Sequence, residues 1–279
     1  MEIPRCDIAL IGGSSTLTVN IPEELHLDEV TVEAAGLVFA TPFGPSPEFK
    51  LFTVPNHFSG EKSRIISCRM HGWRKGVSRA AASQQIFWVF QAAGVTRVLA
   101  EGGVGAINHL LDPRDLIIPH DYMDFSLRKD VALDSRYLLI MREALCCQLR
   151  DLLGVHSRQA WPGRVYNRGI YVNTEGRHFE SPAEISLFKT GGADIVGQSL
   201  CPEVYLAREI GACYAGLYLV VNYAEGIVAP WQHQELAEIF YSEGYALARI
   251  LMETIRHIPP ERACNCHDLR KETLLKGIY

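Results

Sequence analysis

The sequence predicts an α/β protein: a mixed, mostly parallel sheet flanked by helices. Short apolar runs alternate with longer stretches of helical periodicity along the chain. Several of those runs are nearly unbroken, as strands buried on both faces require. Gly, Pro and Ser punctuate the junctions, where chain reversals need them. With 279 residues, the chain can bury most of its apolar surface around one core, and we expect one domain over 1–279.

In chain order, residues 7–11 form a short apolar strand that runs into Gly12-Gly13-Ser14-Ser15. The segment 41–47, TPFGPSP, is a loop too short to link domains. Residues 64–68 form a second strand. Residues 80–93 form a helix with Ile86, Val89 and Phe90 on one face, closed by Gly94. Residues 95–100 form a strand that opens into Gly102-Gly103-Val104-Gly105. A strand over 116–118 follows the Asp112-Pro113 turn. The spacing predicts an amphipathic helix over 135–153 and a strand over 165–172. Residues 181–190 read as a helix with Ser181 as N-cap, Pro182 in the first turn and Glu184 completing a capping box. Residues 195–196 form a short strand, 202–210 a helix and 213–221 an apolar strand. The last helix covers 234–255, with Leu236, Ile239, Phe240, Leu247, Ile250 and Leu251 at helical spacing.

Bulk composition excludes several functions. Hydrophobic residues make up 48% and charged residues 21%, and the formal charge is −5. That balance creates no global positive field, so no nucleic-acid partner is expected and an anion site must be local. No apolar run reaches the roughly 20 residues of a membrane helix, and the first residues lack a basic signal-peptide region. A cytoplasmic protein is expected. The eight cysteines are scattered. Cys68, Cys201 and Cys213 lie in apolar settings and read as buried, reduced thiols. Cys264, Cys266 and His267 form a C-x-C-H run with no second pair nearby in sequence, so no metal is expected.

Ligands in such sheets collect at strand carboxyl ends. Gly12-Gly13-Ser14-Ser15, Arg69-Met70-His71-Gly72 and Gly102-Gly103-Val104-Gly105 stand at three of them. Glycines let backbone N–H groups approach an anion, and a hydroxyl, a guanidinium and an imidazole add donors. Taken singly, the first is also an ordinary tight turn, and Arg69 with His71 also fits a solvated strand edge with both side chains on one face. Asn222, after the apolar run CYAGLYLVV, is either a strand terminator or a polar group aimed at a ligand. Phe179 and Glu180 directly precede a capped helix, where the carboxylate favours the helix dipole or enters a cleft.

Together these segments resemble the trimeric purine nucleoside phosphorylase and methylthioadenosine phosphorylase family. Residues 192–222, GADIVGQSLCPEVYLAREIGACYAGLYLVVN, resemble its long GAD-x-V-G-M-S-x-x-P-E-V-x-x-A-R-x-x-G run and the strand after it. Residues 175–184 resemble its G-x-x-F-E-T-x-A-E segment, 69–71 its R-x-H motif and 101–108 its N-A-A-G-G-L-N loop. The resemblance implies a single domain around a distorted mixed sheet and a homotrimer or a dimer of trimers. It implies phosphorolysis of a purine nucleoside, with inorganic phosphate as co-substrate and no cofactor. Phosphate contacts would fall on Ser14, Arg69, His71, the Gly103 N–H and Ser199. Base contacts would fall on Phe179, Glu180 and Asn222, and ribose contacts on Trp73, Gln198 and His233. Asn222, His71 and Glu180 would carry catalysis.

A carboxylate and a carboxamide suit a 6-oxopurine, whose N1–H donates and whose N7 and O6 accept. Methylthioadenosine phosphorolysis, nucleoside hydrolysis and nucleoside binding without cleavage are the alternatives. The chain departs from the family pattern at Gln198, where Met is usual, at Gly102, where Asn or Thr is common, and at Ser15, where Gly is usual. It also departs over 227–236.

Overall fold

The computed structural model describes residues 2–274; Met1 and 275–279 of the expected domain lie outside the described residues. The first seven strands are β1 (Ile8–Ile11), β2 (Thr31–Leu37), β3 (Ala40–Thr41), β4 (Gly44–Pro45), β5 (Phe49–Pro55), β6 (Lys62–Cys68) and β7 (Arg97–Ala106). They are followed by β8 (Leu116–Ile117), β9 (Asp121–Asp124), β10 (Tyr137–Leu139), β11 (Val165–Tyr166), β12 (Ile170–Asn173), β13 (Ile195–Gly197), β14 (Cys213–Tyr223) and β15 (Arg270–Glu272). The helices are α1 (Arg79–Ala93), α2 (Cys147–Ala160), α3 (Pro182–Thr190), α4 (Leu200–Ile210) and α5 (His233–Arg256).

The main sheet runs β11-β8-β14-β7-β1-β6-β5-β2, and β13, β12 and β9 extend from β7. Its centre is parallel: β1 pairs with β6 and β7, and β14 pairs with β7. Antiparallel strands flank it, with β5 on β6 and β8 on β14. The pleat sends alternate residues of β1 to opposite faces. Ala9 and Ile11 join the apolar cluster that includes Ile86, Phe87 and Phe90 of α1 and Val204 and Leu206 of α4. Ile8 and Leu10 join the cluster that includes Leu149 and Leu153 of α2 and Leu247 and Leu251 of α5. Helices thus cover both faces, which explains the unbroken apolar runs of β1 and β14.

Several local expectations differ from the structure. The glycine run 102–105 lies inside β7, which continues through Ala106 because β14 pairs with its whole length. The helix expected over 135–153 is instead β10 followed by α2, which starts at Cys147. Ser135 and Glu143 have positive φ, which a helix cannot accommodate, and β10 pairs with the distant β15. The strand expected over 165–172 is two strands, β11 and β12, on different parts of the sheet. Residues 41–47 include a small β3–β4 hairpin. Strands β2, β5 and β9 are additional. Among the described residues no helix is long and apolar enough to cross a membrane.

The capping box at α3 forms as the sequence implies. The Ser181 Oγ accepts from the Glu184 N–H at 3.3 Å, and the Glu184 carboxylate accepts from the Ser181 N–H at 2.8 Å. Ser181→Ala should lower stability by about 1 kcal/mol, read as a lower urea midpoint with an unchanged slope.

Candidate active site

The carboxyl ends of β1, β6, β7 and β14 gather at one edge of the sheet, because these strands run in the same direction. A cavity of about 330 Å³ opens there. Strand β7 forms its floor. From Gly103 to Gly105 the strand advances about 7 Å, and the cavity changes character along that length.

At the Gly103 end, the Gly103 N–H donates to the Ser14 Oγ at 3.1 Å. Ser14 belongs to the glycine loop after β1, and a buried carboxylate organises that loop. Glu101 accepts from the Thr16 hydroxyl at 2.7 Å, from the Ser15 and Thr16 amides at 3.2 Å, and from the Gly13 amide. A Cβ on Gly13 would fall 2.2 Å from the Glu101 carbonyl oxygen and 2.7 Å from the His71 Nε2. Only glycine lets loop, strand and imidazole meet this closely. On the neighbouring wall, Gly102 approaches Ser199, where a Cβ would stand 3.5 Å from the hydroxyl.

His71 is 2% exposed, and its Nδ1 lies 2.8 Å from Glu203 Oε1. Glu203 also accepts from the Tyr214 hydroxyl at 2.8 Å. Burial pulls the imidazole pKa down, but the charge and hydrogen bond of Glu203, joined by Glu101, outweigh it and raise the pKa above 6.5. A cationic ring is therefore favoured beside the glycine loop in a chain of net negative charge.

At the Gly105 end, the wall carries Glu180 and Asn222, both buried. Glu180 accepts from the Thr174 hydroxyl at 2.5 Å. The register between β14 and β7 slips between Val220 and Asn222, leaving a bulge at Val221. Such a bulge re-aims the residue that follows. One Asn222 N–H donates to the Tyr223 carbonyl at 2.7 Å, and a Cβ on Gly105 would lie 3.4 Å from that nitrogen. Strand β14 continues to Tyr223, so Asn222 is not a terminator. Phe179 closes this end in contact with Trp231, with ring centroids 4.8 Å apart.

Between the two ends, Trp73 lies 5.2 Å from His71 by ring centroids, and the Arg79 guanidinium stacks over it at 3.9 Å. Gln198 accepts from Arg79 at 3.0 Å and donates to the His178 carbonyl at 3.0 Å. That bridge gives a physical reason for a polar side chain where the related motif has Met.

The cavity thus brings together Ser14, His71, Trp73, Gly103, Phe179, Glu180, Gln198, Ser199 and Asn222. Two expected residues stand apart from it. Arg69 is exposed, donates to the Leu17 carbonyl, and lines a neighbouring cavity. Strand alternation does not put it beside His71: β6 ends at Cys68, and Met70 and His71 turn away with positive φ. His233 is exposed at the start of α5, whereas Leu236 and Phe240 of that helix line the cavity. Sequence reading missed Arg79, Glu101 and Glu203. A charged residue inside an apolar strand was the available signal for Glu101, and an acid within the first turn of α4 the weaker one for Glu203.

The model of the Phosphorylase superfamily matches residues 7–256 of this chain. A probable 6-oxopurine nucleoside phosphorylase of Thermococcus kodakarensis is 33% identical, over 96% of this chain and 98% of that protein. A probable S-methyl-5'-thioinosine phosphorylase of Methanothermobacter thermautotrophicus is 33% identical, over 82% of this chain and 80% of its own length. Among solved structures, a methylthioadenosine phosphorylase from an antarctic soil metagenomic library superposes with a TM-score of 0.74 at 22% identity, over 95% of this chain and 91% of that one. That last likeness concerns the fold.

The Glu203–His71 pair makes a pH-dependent expectation. A raised pKa keeps the imidazolium fully present below pH 6.5, and it is lost as pH rises through the higher folded value. In Glu203→Gln the supporting charge goes while burial stays, so the ring loses its proton at lower pH. Anion affinity, measured as oxyanion protection against thermal unfolding, should fall several-fold near neutral pH and converge with the wild type in acid. Equal affinities across the range would remove His71 from anion binding.

Proposed function

This chain belongs to the phosphorylase superfamily, and from that membership we propose that it phosphorolyses a 6-oxopurine nucleoside, releasing the free base and a pentose 1-phosphate. The observation that carries the choice of base is Glu180, a buried carboxylate that accepts from the Thr174 hydroxyl and shares the cavity wall with Asn222. A 6-oxopurine supplies the missing donor through N1–H, and the free N–H of Asn222 answers N7 or O6. Adenine has no N1–H and would turn the N1 lone pair towards the carboxylate, a mismatch that such sites reject by on the order of 10⁴-fold.

Phosphate sits in this reading at the other end, held by the Ser14 and Ser199 hydroxyls, the His71 imidazolium and the Gly103 N–H, which exchanges the Ser14 hydroxyl for the anion. Ribose lies between, against Trp73 and Gln198. The glycosidic bond breaks first: its electron pair goes to the purine, and Asn222 stabilises the charge that develops at N7. The oxocarbenium-like sugar is then attacked at C1′ by a phosphate oxygen. Positioning and charge stabilisation do the work, without a covalent enzyme intermediate or a cofactor.

A cytoplasmic homotrimer is part of the same proposal. Phe125 is 52% and Leu127 90% exposed. They precede Arg128, which holds the Gln198 carbonyl on the cavity wall, and a second subunit laid there would cover them.

A nucleoside panel followed by ultraviolet absorbance tests the reaction. Inosine, guanosine or 5′-methylthioinosine should release base only when phosphate is present. Release without phosphate would make the protein a hydrolase, preference for methylthioadenosine would overturn the base assignment, and binding without release would exclude catalysis. Asn222→Asp should move preference towards 6-aminopurine nucleosides, because a carboxylate accepts where the amide donated. An unchanged ranking of kcat/KM values would remove Asn222 from base recognition.

A further inference from the structure

Four cysteines meet at the end of β14 opposite Asn222. Cys213 is the first residue of that strand, Cys146 precedes α2, and Cys264 and Cys266 lie in the segment after α5. Their Sγ atoms all lie within 4.8 Å of one another. Cys146, Cys213 and Cys266 are buried and Cys264 is half-buried. The second pair that the C-x-C segment lacks in sequence is therefore supplied in space by residues 51 and 118 or more positions upstream, counting Cys213 to Cys264 and Cys146 to Cys264.

We propose that these four thiols form a structural zinc site that clamps the C-terminal segment to the core. The sulfur geometry suits the ion. Cys213 Sγ and Cys264 Sγ are 3.3 Å apart. Four thiolates bound to zinc at about 2.3 Å define a tetrahedron with edges of about 3.8 Å, whereas a disulfide holds its sulfurs at about 2.05 Å. Four sulfurs mutually this close match a tetrahedral cage better than two separate bonds, and four cysteines are a regular ligand set of structural zinc.

The surroundings suit it as well. Binding releases four protons and leaves a net charge of −2 on the ion and its four thiolates. Arg97, the register partner of Cys213 on β7, is 3% exposed, and its Nε has no hydrogen-bond partner. A buried guanidinium beside the cluster offsets that charge. The backbone is already held in place. The Cys146 N–H donates to the Tyr214 carbonyl at 2.8 Å, the buried Arg208 donates to the Cys266 carbonyl at 3.0 Å, and Arg262 donates to the Gly211 carbonyl at 2.8 Å. His267 is not a ligand: it is exposed, with its Nδ1 3.0 Å from Asp268. None of the four cysteines lines the cavity, and four protein ligands leave zinc no open position for substrate, so the role is structural.

Metal analysis of the full chain, purified without chelators, provides the test. We expect about one zinc per chain, released when a mercurial titrates the thiols, with a lower midpoint of thermal unfolding afterwards. Cobalt(II) exchanged into the site should give thiolate-to-metal charge transfer and the intense visible bands of a tetrahedral ion. Cys264→Ser and Cys266→Ser should each lose most of the bound zinc. Should those variants fail to fold, native-state alkylation of the wild-type chain decides by mass: the four thiols should be protected until zinc is removed. The proposal is overturned if zinc is absent and the four thiols alkylate freely. It is equally overturned if zinc is absent and the mass shows that they have been oxidised to disulfides.

Discussion

A carboxylate with no solvent exposure lies at the junction of the two strands that build the anion end of the cavity. Glu101 sits where β7 has just parted from β1, whose last pairing is Ile11 with Ala100. The chain after β1 must turn there, and its amides need acceptors that no neighbouring strand supplies. Glu101 accepts from three of those amides and from the Thr16 hydroxyl. Burial raises its pKa, while the Thr16 and Gly13 bonds oppose that rise. Without this acceptor the Gly13 loop would have buried, unpaired N–H groups, each costing about 1–3 kcal/mol. Ser14 would then lose its position over Gly103.

Because β7 passes the loop and continues beside β14, its glycines form a floor on which a ligand can rest against bare backbone. A side chain at Gly103 would meet the Phe240 ring at 2.7 Å, so α5 packs against this floor only because glycine leaves the space open. The bulge at Val221 then turns Asn222 towards this floor, on the wall that also carries Glu180. An imidazole with a raised pKa at one end and a carboxylate and a carboxamide at the other thus line one cavity.

Burial governs the thiols that pack singly in the core. Cys68 and Cys201 are fully or almost fully buried in apolar surroundings, which push their thiols well above the ordinary value of 9.0. They behave as small hydrophobes, unlike the four cysteines gathered at the start of β14. One residue type thus plays two parts in the chain, and neighbours in space decide which.

The sequence by itself determined what local and periodic signals encode. Unbroken apolar runs mark the central parallel strands because both of their faces are covered. Ser181, Pro182 and Glu184 mark the start of α3, because capping depends on residues three apart. Ser14 and Asn222 were legible as polar residues at the ends of apolar strands, and Glu180 as an acid directly before a capped helix. Tertiary structure alone decided the rest, because the partners are far apart in the chain. Arg79 reaches Gln198 across 119 residues and His71 reaches Glu203 across 132. Arg69 left the expected cluster because two positive φ angles followed it, and Ser135–Leu153 gave up a helical pattern because β10 found β15. No period or spacing records such encounters; they exist only once the sheet has brought its strand ends together.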